Sequence, residues 1–201
     1  MEHRARLVVL SGAPILRALR PLVPVLTALA LLPAAPVRGA AFLNPAEALR
    51  LAFGEARLER RSFALTPAQE KAVESRARGR LGSHLASAWC AWHGDTLVGA
   101  AFFESRTIRT MPGTFMIVIA PDTTVARVDV LAFHEPPDYR PPARWLGLFA
   151  RRRLDDRLWP DRDIRTISGA TLSTRAVTEG VRISLALYEL VLAPALAGEA
   201  P

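Results

Sequence analysis

The run Ile167-Ser168-Gly169-Ala170-Thr171-Leu172-Ser173-Thr174-Arg175-Ala176-Val177 governs the reading of the chain. Small and hydroxyl residues gather in it, and apolar residues at helical spacing follow through Val177, Val181, Leu185, Tyr188 and Leu192. The spacing predicts a long C-terminal helix with one buried stripe. Ser and Thr just ahead of such a pattern are helix-start signals, because their oxygens can accept from the unpaired N–H groups of the first turn. Gly169 adds backbone freedom without bulk, so another molecule can approach. Free N–H groups at a helix start favour a phosphate there. Taken alone, a run of this kind more often caps a helix and binds nothing.

Upstream of it the pattern changes from helical to alternating. Residues 87–93 and 96–104 flank Gly94-Asp95, a two-residue link suited to a hairpin. Residues 114–120 and 125–133 flank the turn Pro121-Asp122-Thr123-Thr124. The stretch from Phe115 to Ala120 is almost wholly apolar, which predicts a central strand covered on both faces. Residues 57–65 alternate loosely and read as a further strand. Asn44-Pro45-Ala46-Glu47 and Thr66-Pro67-Ala68-Gln69 each place a cap, a proline and a polar third residue, so two helices should start there. The first should stop at Gly54 and the second near Gly82. The expected fold class is α+β: a mostly antiparallel sheet of two hairpins with packed helices and the long C-terminal helix. No linker divides residues 43–193.

Composition narrows the function classes. Of 26 basic and 19 acidic residues, five arginines and one acid lie in residues 1–39. The remainder carries 21 basic against 18 acidic residues, a surplus too small to argue for nucleic acid as a partner. Cys90 is the single cysteine, so a cysteine-built zinc or iron–sulfur site is excluded; its apolar surroundings predict a small buried hydrophobe. No histidine pair has ligand spacing, so no metal site is expected. Arg4, Arg6, Arg17 and Arg20 precede an apolar run, 22–37, interrupted by Pro24, Pro33 and Pro36. It is shorter than the roughly 20 residues of a spanning helix. Val37-Arg38-Gly39-Ala40-Ala41 offers small residues for a signal peptidase. Residues 1–39 therefore read as a cleaved signal peptide, with a retained membrane anchor as the alternative, and residues 40–201 as an extracytoplasmic domain.

The order Ser168-Gly169-Ala170-Thr171-Leu172-Ser173 resembles the S/T-G-A-T-x-S/T signature of the FMN-binding domain family. That family includes the G subunit of Rnf-type electron-transport complexes and the C subunit of sodium-pumping NADH:quinone reductase. The resemblance covers about residues 96–192. It implies FMN as cofactor, esterified by a flavin transferase through its phosphate to Thr171. Ser168, Gly169, Ala170, Leu172 and Ser173 would form the loop and helix start around it. His134-Glu135-Pro136-Pro137-Asp138-Tyr139 partly matches the family's His and Glu-Thr-Pro-Gly stretch, which implies cofactor-facing roles for His134 and Glu135. Arg106, Arg109 and Thr110 fall where relatives carry a glycine-rich turn near the cofactor; either arginine could neutralise a phosphate. Trp145, Leu148 and Phe149 share helical spacing, usually a sign of packing, although an aromatic near a flavin could also cover its ring. One position departs from the family pattern: Arg165 replaces the aspartate expected three residues before Ser168, and the nearest acid upstream is Asp163. Covalent and non-covalent attachment thus both remain open, with the intact Ser-Gly-Ala-Thr favouring the ester.

The function expected from the resemblance is an exported electron carrier working with membrane-associated redox partners in the periplasm or at the outer face of the membrane. The alternatives are a flavin-dependent reductase of a small acceptor and a flavin-free exported interaction domain.

Overall fold

The computed structural model describes residues 40–41 and 43–198; the expectations for 1–39 lie outside the described residues. The strand that organises the rest is β5 (Pro112–Ile119). Phe115, Ile117 and Ile119 face a core shared with the C-terminal helix, while Met116 and Val118 face a second core with Ala48 and Leu49. Successive side chains on a strand point to opposite faces, so an unbroken apolar run needs cover on both. β4 (Thr96–Thr107) and β6 (Val125–Phe133) flank it. The sheet continues outward through β3 (Leu85–His93) to the edge strand β2 (Arg57–Ala64). On the other side, β1 (Ala40–Ala41) pairs with the end of β6.

The order is β1-β6-β5-β4-β3-β2, and all pairs are antiparallel. The fold is α+β as expected, with a difference in detail. The two hairpins are not separate units, because β4 and β5 also pair from Ala100↔Ile119 to Thr107↔Pro112. Residues 57–133 thus include a continuous five-strand meander. β4 runs beyond Glu104, so Arg106 belongs to the strand, opposite Gly113, and only Arg109 and Thr110 fall in the turn.

Helix α1 (Pro45–Phe53) covers one face. Asn44 Oδ1 accepts from Glu47 N at 2.9 Å and Glu47 Oε2 accepts from Asn44 N at 3.3 Å, completing the capping box read from the sequence. Gly54 ends it with φ 58°. Helix α2 (Pro67–Ala77) starts with the matching box of Thr66 and Gln69. It stops short of Gly82 because Arg78 turns left-handed, with φ 52°, and Glu74 bends back to accept from Leu81 N at 3.0 Å.

A short helix α3 (Ala143–Leu146) precedes α4 (Thr171–Leu187). α4 runs on through a π turn (Tyr188–Leu192) into α5 (Ala193–Gly198). Val177, Val181, Leu185, Tyr188 and Leu192 are all buried, as the periodicity requires, against the sheet. α4 is buried on its other side too, where α2 and the loop after Leu154 pack. Arg182 holds these together. It is 1% exposed; Nε donates to Ala77 O at 2.6 Å, and Nη1 donates to Asp155 O at 2.6 Å and Leu158 O at 2.9 Å. The cation thereby satisfies the carbonyl of the last residue of α2, where the helix dipole favours positive charge. Cys90 is fully buried in the same core.

A candidate ligand cleft at the start of the long helix

Three segments meet at one end of the sheet: the β4–β5 turn, the chain after β6, and the start of α4. The turn closes with Ile108 N donating to Met111 O at 3.0 Å. Its exposed amides would otherwise be free to wander, but Glu135 gathers them. One carboxylate oxygen, Oε1, accepts from the backbone N–H groups of Arg109, Thr110 and Met111 at 2.9, 2.7 and 2.9 Å. These bonds, led by Thr110 and then Met111, hold the Glu135 carboxyl below the usual carboxylate range. Glu135 therefore positions the turn. Its side chain does not line the cleft described below. His134 is exposed and outside the cleft as well; its backbone N–H donates to Pro112 O at 3.1 Å, extending the β5–β6 pairing. The adjacent pair His134 and Glu135 thus plays two separate parts, and neither residue is a wall of the cleft.

A 3-10 turn (Pro137–Tyr139) carries Tyr139 to the helix start. Ser173 Oγ donates to Tyr139 O at 2.6 Å, which ties this turn to the first turn of α4. Across from it the Arg109 guanidinium lies 4.9 Å from the Tyr139 ring centre. Ile108, Arg109, Tyr139 and residues 169–173 enclose an open cleft of about 310 Å³.

The helix start itself differs from the expected capped one. Ala170 is the N-cap residue, no side chain caps the helix, and no acid lies in its first turn. The hydroxyls are committed elsewhere: Ser173 to Tyr139 O, and Thr174 Oγ1 to Ile167 N at 3.0 Å and Ala170 O at 3.3 Å. With alanine at the cap position the first amides of α4 keep no side-chain partner, and the positive end of the helix dipole is not offset by an acid in its first turn. Gly169 takes φ +76°, and a Cβ there would meet nothing within 4 Å, so the approach is open as well as conformationally demanding. Thr171 and Leu172 are exposed, Ser168 too, while Ala170 and Ser173 are buried. A reachable hydroxyl beside unpaired N–H groups, faced by an arginine, suits a phosphate-bearing ligand with an apolar body.

Ser168 opens the other way, onto a second cleft of about 610 Å³ bounded by Arg144, Trp145, Leu148 and Arg165. Trp145 Nε1 donates to Arg165 O at 2.6 Å, and its ring meets Phe149 edge-on at 5.2 Å. Phe149 is packing only, being fully buried; Trp145 is both a peg for the chain before the motif and part of the cleft wall. Asp163 does not stand in for an acid at position 165. Its carboxylate is held by Arg152 at 2.6 Å and Arg157 at 3.0 Å. Among the described residues no cluster of His, Cys, Asp or Glu could hold a metal ion.

Sequence reading missed Tyr139 and the positioning role of Glu135. The signal was present only as an acid two residues beyond a strand end, which is uninformative until the facing turn is known.

Residues 111–186 match the model of the FMN-binding domain. The match begins at the last residue of the β4–β5 turn and takes in Glu135, Tyr139 and the whole helix start. No curated protein matches the chain.

Proposed function

We propose that this chain, whose residues 111–186 match the FMN-binding domain and support FMN as cofactor, is an exported electron-transfer flavoprotein carrying the flavin on Thr171. The observation that carries this reading is the exposure of Thr171 at an uncapped helix start, at the mouth of a cleft. A modifying enzyme must reach the hydroxyl, and a buried threonine would be closed to it. Thr171 Oγ1 would lose its proton and form the new P–O bond. The bond broken is the phosphoanhydride that joins FMN to the rest of the transferase's donor, and that remaining phosphate-bearing portion leaves, taking up the threonine proton. The amides of Thr171, Leu172 and Ser173 would then sit beside the ester phosphate, where negative charge at an exposed helix start is favoured by about 0.3–1 kcal/mol. FMN supplies the one- and two-electron chemistry, and the protein supplies attachment, orientation and local electrostatics.

Co-expression with a flavin transferase, followed by denaturation and intact-mass measurement, tests the attachment. The expected result is a gain equal to FMN less one water, lost in Thr171→Ala and partly kept in Thr171→Ser. FMN released on denaturation from protein of unmodified mass would leave a flavoprotein without the ester. No flavin in either form would instead support a flavin-free interaction domain. The partners of the relay reading are membrane-associated redox proteins, and the mature chain would begin near residue 40. N-terminal sequencing of the exported form checks that start, and a form retaining Met1 in the membrane would indicate an anchor.

A second reading, a flavin-dependent reductase, draws on the cleft beside Ser168. It has room for a small acceptor, and Arg144 and Arg165 at its rim would favour an anionic one. Steady turnover of a small acceptor by the purified flavin-loaded protein would select this reading over the relay.

A further inference from the structure

We propose that Arg109 is the residue by which the cleft selects a phosphorylated flavin over an unphosphorylated one, with Tyr139 as the platform that aims it. The inference rests on the reading of the cleft as the FMN site. Sequence alone offered two arginines for the phosphate, Arg106 and Arg109, and the fold separates them. Arg106 lies within β4. Its Nη2 binds Glu104 Oε2 at 3.2 Å and its Nη1 donates to Arg80 O at 2.9 Å, so its charge is committed away from the helix start. Arg109 lines the cleft with Thr171 and Ser173, and no carboxylate pairs with its guanidinium within salt-bridge distance among the described residues.

Two tethers fix where that charge sits. On its own side, Glu135 Oε1 holds the backbone of residues 109–111 through three amides. On the opposite side, Ser173 Oγ holds Tyr139 through its carbonyl at 2.6 Å. The guanidinium rests 4.9 Å from the Tyr139 ring centre, between these anchors. A guanidinium on an aromatic ring keeps N–H groups free to donate, and its geometry matches two phosphate oxygens at once. The cation therefore faces the uncapped amides of α4, and a phosphate placed between them would meet donors from both sides. Glu135 is the nearby countercharge. Its engaged oxygen points at the backbone of the turn, so it offsets part of the field without blocking the guanidinium. Riboflavin has the same ring system and no phosphate, and would lose both the guanidinium contact and the contact with the helix amides.

The test titrates FMN and riboflavin separately into the full chain produced without a flavin transferase, following quenching of flavin fluorescence. The wild type is expected to bind FMN more tightly, with a preference that shrinks as salt rises. Arg109→Gln, which removes the charge and keeps a planar polar group, should weaken FMN by about 10–100-fold, the scale of a charge-assisted hydrogen bond. Riboflavin should change by less than about twofold, given that it makes no such bond. Tyr139→Leu should lower FMN affinity in the same direction by loosening the aim of Arg109. Arg153→Ala, an exposed residue that pairs with Asp122 and lines neither cleft, should leave the ratio of the two affinities unchanged. An Arg109→Gln protein that unfolds like the wild type on heating but keeps its FMN-to-riboflavin ratio would overturn the assignment of Arg109 and leave the FMN site standing. Failure of the wild type to bind either flavin would overturn this proposal, whereas the reading of the cleft as the FMN site falls only if co-expression with a transferase also adds no flavin mass.

Discussion

Three amide N–H groups converge on one oxygen of Glu135, and that arrangement has a measurable pH dependence. The carboxyl is held below its ordinary value of 4.5 by the backbone bonds from Thr110 and Met111. A group whose pKa is depressed on folding contributes stability above its unfolded pKa and loses it as pH falls through the folded one. The order of the turn should therefore hold at neutral pH and decay as the solution becomes more acidic than about 4.5. Amide hydrogen exchange at Arg109, Thr110 and Met111 would follow it. Glu135→Gln should speed exchange at those three positions at pH 7 and remove its acid dependence. Unchanged protection would mean that the turn holds itself. At the same scale, Thr171 illustrates how an exposed side chain is left available for chemistry. Ser173 and Thr174, in the same turn of helix, have given their hydroxyls to Tyr139, Ile167 and Ala170, and Thr171 has not.

Among the elements, the long helix is fixed from both sides. Leu185 is fully buried against the sheet, and its truncation to Ala should cost about 2–5 kcal/mol in denaturant unfolding. A cost near zero would mean that the face packs differently in solution. Arg182 should be as sensitive for another reason. Arg182→Ala strands the carbonyls of Ala77, Asp155 and Leu158, at about 1–3 kcal/mol for each buried acceptor left unpaired. Arg182→Lys should rescue little, because a single ammonium cannot span acceptors that a forked guanidinium reaches from two of its nitrogens. The β4–β5 hairpin carries its own constraint at Gly113. A Cβ there would stand 2.9 Å from both Ile108 Cδ1 and Phe115 Cζ, so Gly113→Ala should destabilise by about 1–3 kcal/mol through overpacking. Ile108 is also a wall of the cleft, so the same substitution should disturb flavin affinity as well.

For the whole molecule, the family match from residue 111 to 186 describes less than the packing unit. β3 pairs with β4 along Ala88↔Phe102 to His93↔Thr96, and α2 covers the side of α4 that the sheet does not. A fragment of residues 96–192, the span of the resemblance, would expose the β4 edge and the carbonyl-seeking Arg182. It should fail to fold, whereas residues 40–201 should unfold in one cooperative transition. Circular dichroism of the two fragments under urea decides this; a folded shorter fragment would show the N-terminal elements to be an accessory layer. The long helix also shows why composition misleads at this scale. Residues 171–198 are long and apolar enough to cross a membrane, yet 61% of the apolar window is buried within the domain.

What the sequence determined alone was set by neighbours a few residues apart. Both capping boxes, the stop at Gly54, the central position of the Phe115 to Ile119 run and the buried stripe of α4 are local or periodic, and each could be read before any contact was known. The Ser-Gly-Ala-Thr order pointed to FMN for the same reason, since a motif is a local pattern. What only the tertiary structure decided involves partners far apart along the chain. Glu135 is about 25 residues from the amides it gathers, Ser173 is 34 residues from the Tyr139 carbonyl, and Arg182 is 105 residues from Ala77. The choice between Arg106 and Arg109 turned on three further residues of strand beyond Glu104, a matter of how far β4 keeps pairing with β5. Side-chain hydroxyls at a helix start have local acceptors and distant ones in competition, and which wins depends on what the fold brings near. At α4 part of that competition went to the distant carbonyl of Tyr139 and the rest to the turn at Ile167 and Ala170, while the helix start is left uncapped because its cap residue is Ala170, which has no side-chain oxygen.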